Sequence, residues 1–276
     1  MPQSLELGLI VGLSDGVEAS FAKVADLGLT TCQLCSWDVS ILSPDLAEKV
    51  RAASASTGIR VSSYWAGHSG RTVWNFIDGP TTIGLVPPAT RAARLEELKR
   101  GADFAAMIAA PSITTHVGFI TENPNDPEYA ALVDTLRDLA QHCGRHGLGF
   151  WFETGQETPV TLLRAIEDIG TDNLGINLDP ANLVLYGKAN PVDALDVFGA
   201  CVRGVHAKDG LYPVNGRELG QEVPLGEGKV DFPALIARLR AMGFDGALTI
   251  EREIEGDQQI VDIRRAIEVL EPLRDL

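Results

Sequence analysis

The 276-residue sequence contains only four cysteines, and they do not make a set. Cys32 and Cys35 form one C-x-x-C, but a zinc ribbon needs a second pair, and Cys143 and Cys201 stand alone. The segment from Thr30 to Trp37 reads as a strand, in which positions i and i+3 point to opposite faces. The cysteines are therefore expected to be free thiols packed as core residues, in a reducing compartment and so in the cytoplasm. No stretch approaches about 18 consecutive apolar residues, which excludes a membrane-spanning helix. The first residues, Met1-Pro-Gln-Ser-Leu-Glu6, show neither the basic nor the apolar region of a secretory leader. Basic charge is scarce as well: 23 Lys+Arg against 38 Asp+Glu give a net charge of −15. Neutralising the phosphates of nucleic acid or of an anionic membrane takes clustered cations, so neither is an expected partner. A dinucleotide fingerprint is also missing, because Gly8, Gly12 and Gly16 do not make G-x-G-x-x-G after the first strand.

What is present is a repeated pattern: a short β-rich apolar run, a loop, then a longer run of helical period. Strands are expected at Leu5–Gly12, Thr30–Trp37, Arg60–Ala66, Ser112–Phe119, Gly149–Thr154, Leu174–Leu178, Val202–Lys208 and Ala247–Glu251. Helices are expected near 17–27, 44–57, 90–109, 127–146, 158–169, 191–200, 231–242 and 257–274. Thr158-Pro159, Asn190-Pro191 and Asp231 before Phe232-Pro233 read as helix starts, and Gly28, Gly58, Gly147, Gly170 and Gly243 as helix ends. Eight strands alternating with eight helices, at roughly 34 residues per unit, fit a single (β/α)8 TIM barrel, residues 1–276 forming one domain. Two connections, Gly67–Pro88 and Gly210–Lys229, are long and follow strands, so they belong to the C-terminal face where such barrels build their active sites.

Strand alternation picks out a polar constellation on that face. Phe150 and Phe152 share one side of the fifth strand and Trp151 and Glu153 the other; Asp179, His206 and Glu251 occupy equivalent places in the next three strands. With the apolar sets facing the helices, Glu153, Asp179, His206 and Glu251 point into the barrel mouth. Three converging carboxylates repel one another and push at least one pKa upward, and a divalent cation resolves that conflict. Three carboxylates with one imidazole are a hard, oxygen-rich set that suits one Mn²⁺ or Mg²⁺, with Zn²⁺ or Co²⁺ as possible substitutes.

The segments around these residues are Phe152-Glu-Thr-Gly-Gln-Glu157, Leu178-Asp-Pro-Ala-Asn182, Val205-His-Ala-Lys-Asp-Gly210, Pro224-Leu-Gly-Glu-Gly228 and Gly243-Phe-Asp-Gly-Ala-Leu-Thr-Ile-Glu251. With them the sequence resembles the xylose isomerase-like TIM-barrel superfamily of sugar phosphate isomerases and epimerases. The resemblance implies a metal held by Glu153, Asp179, His206 and Glu251. It further implies that Glu153 and Glu251 exchange the proton of a carbon beside a carbonyl through an enediolate. The substrate is then a ketose or keto-polyol, a small sugar or polyol. Two positions depart from the ketose 3-epimerases of that superfamily: Asn182 stands where they carry His, and Tyr212 where they carry Arg. Inosose or keto-sugar dehydratases and lyases, which begin with the same proton abstraction, are the alternative.

Further substrate contacts are expected from His116, Glu157, Asn182 and Lys208, with Trp65 and His68 at and after the end of the third strand. Lys208 can equally pair with a neighbouring acid, and His116 can orient a metal ligand. His142 and His146 have the i, i+4 spacing that can bind metal but lack the Glu of H-E-x-x-H; they read as a solvated helix end that favours the helix dipole. An endonuclease IV-like activity would need a His-rich metal cluster, and Asn182, a total of five histidines and the net charge of −15 argue against it. A sugar- or metal-binding barrel without turnover is a further alternative; the sequence does not fix the oligomeric state, although such barrels often pair through their long loops, which leaves a homo-oligomer possible.

Overall fold

Eight short runs rich in β-branched, aromatic and aliphatic residues pair in parallel and close on themselves. The computed structural model describes residues 4–275; Met1, Pro2 and Gln3 of the stretch read for a leader lie outside the described residues. The barrel strands are Leu7–Gly12, Thr31–Ser36, Arg60–Ala66, Ser112–Thr115, Gly149–Glu153, Leu174–Leu178, Val202–Ala207 and Leu248–Ile250. They are ordered as in the sequence, and Gly8 of the first pairs with Thr31 of the second and with Thr249 of the eighth. Parallel neighbours need a helical crossover, and the chain supplies one after each strand. Among the described residues no helix is long and apolar enough to cross a membrane.

The alternation read from the sequence holds. Phe150, Phe152, Ile176, Leu178, Val205 and Ile250 are fully buried between barrel and helices, where removing a large side chain costs about 3–5 kcal/mol. The opposite faces fill the barrel interior with Gln33, Ser63, Thr114, Asn177, Gly204 and Thr249, a polar column in which Ser63 and Thr114 hydroxyls lie 2.9 Å apart. Thr158, Asn190 and Asp231 cap their helices by accepting backbone N–H bonds, and Gly58 and Gly170 end theirs in the left-handed conformation.

Four expectations need correction. The fourth strand stops at Thr115 rather than Phe119, because the Val117 carbonyl turns to accept the amides of Leu85 and Val86 from the first long loop. Two short helices were not anticipated, Gly79–Thr82 inside that loop and Pro180–Leu185 directly after Asp179. His142 and His146 are not a free solvated end, since both face Asp103 of the neighbouring helix Pro88–Met107. All four cysteines are free, but only Cys32 and Cys143 are fully buried; Cys35 lines the cavity described below, with its thiol pushed up to about 12 by burial.

The two long loops are tied to each other and to the barrel. Asn75 bridges Glu218, and the Phe76 amide donates to the Arg217 carbonyl. Behind them Asp209 accepts four backbone N–H bonds: Gly210 and Val230 to Oδ1, Gly226 and Gly228 to Oδ2, at 2.8–3.1 Å. A Cβ on Gly228 would lie 2.0 Å from Asp209 Oδ1, which explains the glycine in Pro224-Leu-Gly-Glu-Gly228. Replacing Asp209 by Ala strands four buried or half-buried donors and is expected to cost about 3 kcal/mol of unfolding free energy, measured by urea denaturation. A change under about 0.5 kcal/mol would show that the loop holds itself without this carboxylate.

Candidate active site

The strand ends on the C-terminal face bring Glu153, Asp179, His206 and Glu251 together, with one ligand atom from each lying within 4.8 Å of the others. Local sequence fixes their directions. Thr154 Oγ1 accepts the Asp179 amide and donates to the Asp179 carbonyl, both at 2.8 Å, locking the fifth and sixth strand ends. Asp179 Oδ1 then caps the helix Pro180–Leu185 by accepting the Asn182 amide at 2.8 Å. That leaves Oδ2 turned to the centre, fully buried, without a hydrogen-bond partner and 3.6 Å from Lys208 Nζ.

His206 sits at the middle. Its Nδ1 lies 2.9 Å from Glu153 Oε1 and 2.9 Å from Glu251 Oε2. On the other side Nε2 donates to Gln33 Oε1 at 2.5 Å, and the Gln33 amide nitrogen faces Asn177 Oδ1 at 3.5 Å. Gln33 therefore sets the tautomer that presents Nδ1 to the carboxylates. Glu153 is held from above as well: Trp65 Nε1 donates to Oε2, and His116 Nε2 lies 3.4 Å from the same oxygen. Lys208 Nζ stands 3.6 Å from both Asp179 Oδ2 and Glu251 Oε2 and 2.7 Å from Glu253.

The electrostatics follow from this packing. Burial by itself raises carboxyl pKa values and lowers that of an imidazole. For Glu251 the Lys208 and His206 cations outweigh burial, and for Glu153 the His116 and His206 rings do; both acids are held below the usual carboxylate range. Asp179 goes the other way, pushed well above that range by burial that Lys208 does not offset. Against its own burial, His206 is raised well above its ordinary value by Glu251 and Glu153. The shifts favour two ionised carboxylates facing two cations, with Asp179 the acid most disposed to keep its proton.

This donor set fits a hard dication. The orphaned Asp179 Oδ2, buried and without a hydrogen-bond partner, and the buried Glu251 Oε2 are acceptors aimed at one point beside His206 Nδ1. Three carboxylate oxygens and one nitrogen match the preferences of Mn²⁺ or Mg²⁺ better than those of Zn²⁺.

Above the cluster opens a pocket of about 400 Å³. Of the four converging residues only Glu153 and Glu251 line it; Asp179 and His206 lie beneath. Trp37, Trp65, Trp74 and His116 make one wall, with Trp37 and Trp65 centroids 4.8 Å apart and Trp74 and His116 5.2 Å apart. Asn182, Leu185, Tyr186 and Leu219 also line it. Among the described lining residues Arg252 is the one Lys or Arg, and it is paired with Glu222 at 3.0 Å and Asp262 at 2.7 Å.

The remaining expected contacts are placed as follows. His116 and Asn182 line the pocket. Trp65 lines it too, while spending its N–H on Glu153. Lys208 is buried below, among the acids. His68 is buried behind Trp37, its ring 5.6 Å from the indole in an edge contact, and is not a lining residue. Burial and the Arg94 charge lower its pKa to about 4. Glu157 is also off the pocket, buried with both carboxyl oxygens unpartnered, and burial pushes its pKa up to about 8. Sequence reasoning missed Gln33, although a lone polar residue on the inward side of the second strand was a readable signal; of the pocket walls, Trp37 falls just past the second strand, which ends at Ser36 and not at Trp37 as expected, and Trp74 lies in a loop, where no period marks it.

Glu157 gives a pH prediction. Its folded pKa is raised, so the stability tied to its proton is full below about pH 4.5 and is lost as pH rises toward 8. Glu157→Gln is expected to melt with the wild type near pH 5 and to exceed it in stability by on the order of 4 kcal/mol at pH 8 and above. A stability difference that does not grow with pH would place the proton elsewhere.

Comparison with known proteins agrees with this architecture. Residues 21–273 match the family described as xylose isomerase-like TIM barrel. A xylose isomerase domain protein from Planctomyces limnophilus superposes with a TM-score of 0.93 at 38% identity, covering 99% of this chain and 98% of that one. An uncharacterized protein of Methanocaldococcus jannaschii is 31% identical over 196 residues; the match takes in 67% of this chain and spans 62% of the length of that relative. A 3-keto-D-glucoside 4-epimerase from E. coli shares the fold with a TM-score of 0.71 at 20% identity, covering 97% and 99% of the two chains. Other structures of the same fold, at 11–20% identity, are named as D-psicose, D-allulose and L-ribulose 3-epimerases and as a D-tagatose 3-epimerase-like protein.

Proposed function

The chain belongs to the xylose isomerase-like TIM-barrel family, and from that premise we propose that it is a metal-dependent isomerase or epimerase of a neutral keto-sugar, moving a proton next to a carbonyl. The observation that carries this reading is the division of labour in depth: of the four converging groups, only Glu153 and Glu251 open onto the pocket. A substrate carbon set between them has a carboxylate on each face, and both carboxylates are held ionised, so either can act as the base. Glu153, Asp179, His206 and Glu251 would hold Mn²⁺ or Mg²⁺, which when bound would stabilise negative charge on the substrate oxygens as the proton leaves.

The protein's own residues do the positioning. Trp65 and His116 steer the Glu153 carboxylate, Gln33 turns His206 toward the cluster, and Lys208 faces Asp179 and Glu251 from below and holds Glu251 ionised. The indole wall suits the C–H face of a sugar, while Asn182 offers amide groups to hydroxyls. Arg252, the one Lys or Arg among the described lining residues, is already shared between two acids, which supports a neutral substrate over a phosphorylated one.

The test is product formation. The Mn²⁺-loaded protein is incubated with free ketoses, keto-inositols, 3-keto-glycosides and phosphorylated ketoses, and products are followed by NMR. Conversion of a neutral member to its epimer or isomer is the expected result. Conversion of phosphorylated members alone would overturn the neutral substrate, and loss of water from the substrate would move the chain to the dehydratase branch.

A further inference from the structure

A second set of metal-donor atoms lies outside the barrel, where two helices of the outer wall touch. His142 and His146 stand one turn apart at the end of the helix Pro127–Arg145, and Asp103 projects from the adjacent helix Pro88–Met107. Both imidazoles turn Nε2 to the same oxygen, Asp103 Oδ1, at 2.7 Å from His142 and 2.9 Å from His146, with the two rings 5.3 Å apart. All three residues are partly exposed, His142 least at 16%.

We propose that Asp103, His142 and His146 form a second metal site, for a borderline dication of the Zn²⁺ class, which clips these two helices together. The donor chemistry separates it from the barrel cluster. Three carboxylates and one imidazole favour hard ions, whereas two imidazoles and one carboxylate favour Zn²⁺, Ni²⁺ or Cu²⁺. The geometry is close to what such an ion needs. With metal–ligand distances of about 2.0–2.1 Å in a tetrahedral site, the Asp103–His142 and Asp103–His146 donor pairs must each separate by only about half an ångström from their present spacing. Solvent at the exposed edge completes the coordination, so the three protein ligands leave an open position.

The proton balance identifies a competitor. His142 Nε2 donates its N–H to Asp103 Oδ1, His146 Nε2 lies 2.9 Å from the same oxygen, and Arg145 Nη2 lies 2.9 Å from His142 Nδ1, donating to it. A cation on Nε2 requires the ring proton to move to Nδ1, where it displaces Arg145. The guanidinium therefore holds the metal-free tautomer, and removing it favours the ion.

The experiment uses the full-length protein, stripped of metal and titrated with Zn²⁺ alone at pH 7.5 by calorimetry and thermal melting. Whatever the barrel cluster takes up, His142→Ala/His146→Ala is expected to bind one zinc fewer than wild type. At free zinc about 100-fold above the dissociation constant, the outer site should raise the wild-type Tm by about 5 °C, and the double variant should lose that increment. Asp103→Asn, which keeps the side-chain shape, is expected to weaken this site at least 10-fold, and Arg145→Ala to tighten it. The same zinc stoichiometry and the same melting shift in wild type, in the double variant and in Asp103→Asn would overturn the proposal. Because the reading is a difference of one equivalent at the outer wall, it stands or falls separately from the barrel function.

Discussion

Glu251→Gln is expected to lower turnover on the true substrate by roughly 10³-fold or more, and Glu153→Gln by a comparable factor. Each acid serves the proposal twice, as a donor to the dication and as the base on one face of the substrate carbon. The amide keeps the shape of the side chain but gives up its charge and its basicity. At Glu251 the loss also removes a neighbour of His206 Nδ1 and one of the three acids around Lys208. Either change leaves His206 or Lys208 with one facing carboxylate fewer, so circular dichroism and melting check that the fold is kept before turnover is compared. A double variant is expected to be little worse than either single one, because the two bases act as a unit. Turnover within about threefold of wild type in either variant would remove that residue from the mechanism.

Metal loading should depend steeply on pH. In the metal-free protein His206 is held protonated by Glu251 and Glu153, and Asp179 is held protonated by burial. A dication that takes His206 and Asp179 as ligands must displace both protons, and two protons and one dication leave the site with the same total charge. Binding is then expected to tighten by about 10- to 100-fold per pH unit below the raised His206 value. The sign for stability agrees. Both folded pKa values are raised, so the metal-free protein is favoured at low pH and loses that contribution as pH climbs. The Mn²⁺-induced rise in Tm should consequently grow from pH 6 to pH 8. Calorimetry in buffers of different ionisation enthalpy counts the released protons; affinity that stays flat over this range would mean that His206 or Asp179 is not a ligand.

Much of this was legible in the sequence, for a definite reason. In a barrel the two faces of a strand meet very different surroundings, so period-2 alternation alone carries Glu153, Asp179, His206 and Glu251 inward and Phe150, Phe152, Ile176 and Ile250 outward. Glycine and Asn, Thr or Asp punctuation located the helix ends, because those positions need a left-handed residue or a side-chain acceptor. What escaped depends on partners distant in sequence. Nothing near His142 announces Asp103, and nothing near Asn75 announces Glu218. Local reading also misjudged depth: Glu157, Lys208 and His68 carry plausible polar chemistry, but only the packed structure puts them below or behind the pocket.

The most direct test of the central claim is solvent hydrogen exchange. The Mn²⁺-loaded protein is incubated in D₂O with neutral free ketoses, keto-inositols and 3-keto-glycosides, and each carbon next to the carbonyl is followed by NMR. The expected result is deuterium at one such carbon of at least one compound, at a rate that falls roughly 10³-fold in Glu251→Gln. Full metal occupancy with no deuterium incorporated in any member of the panel would contradict it.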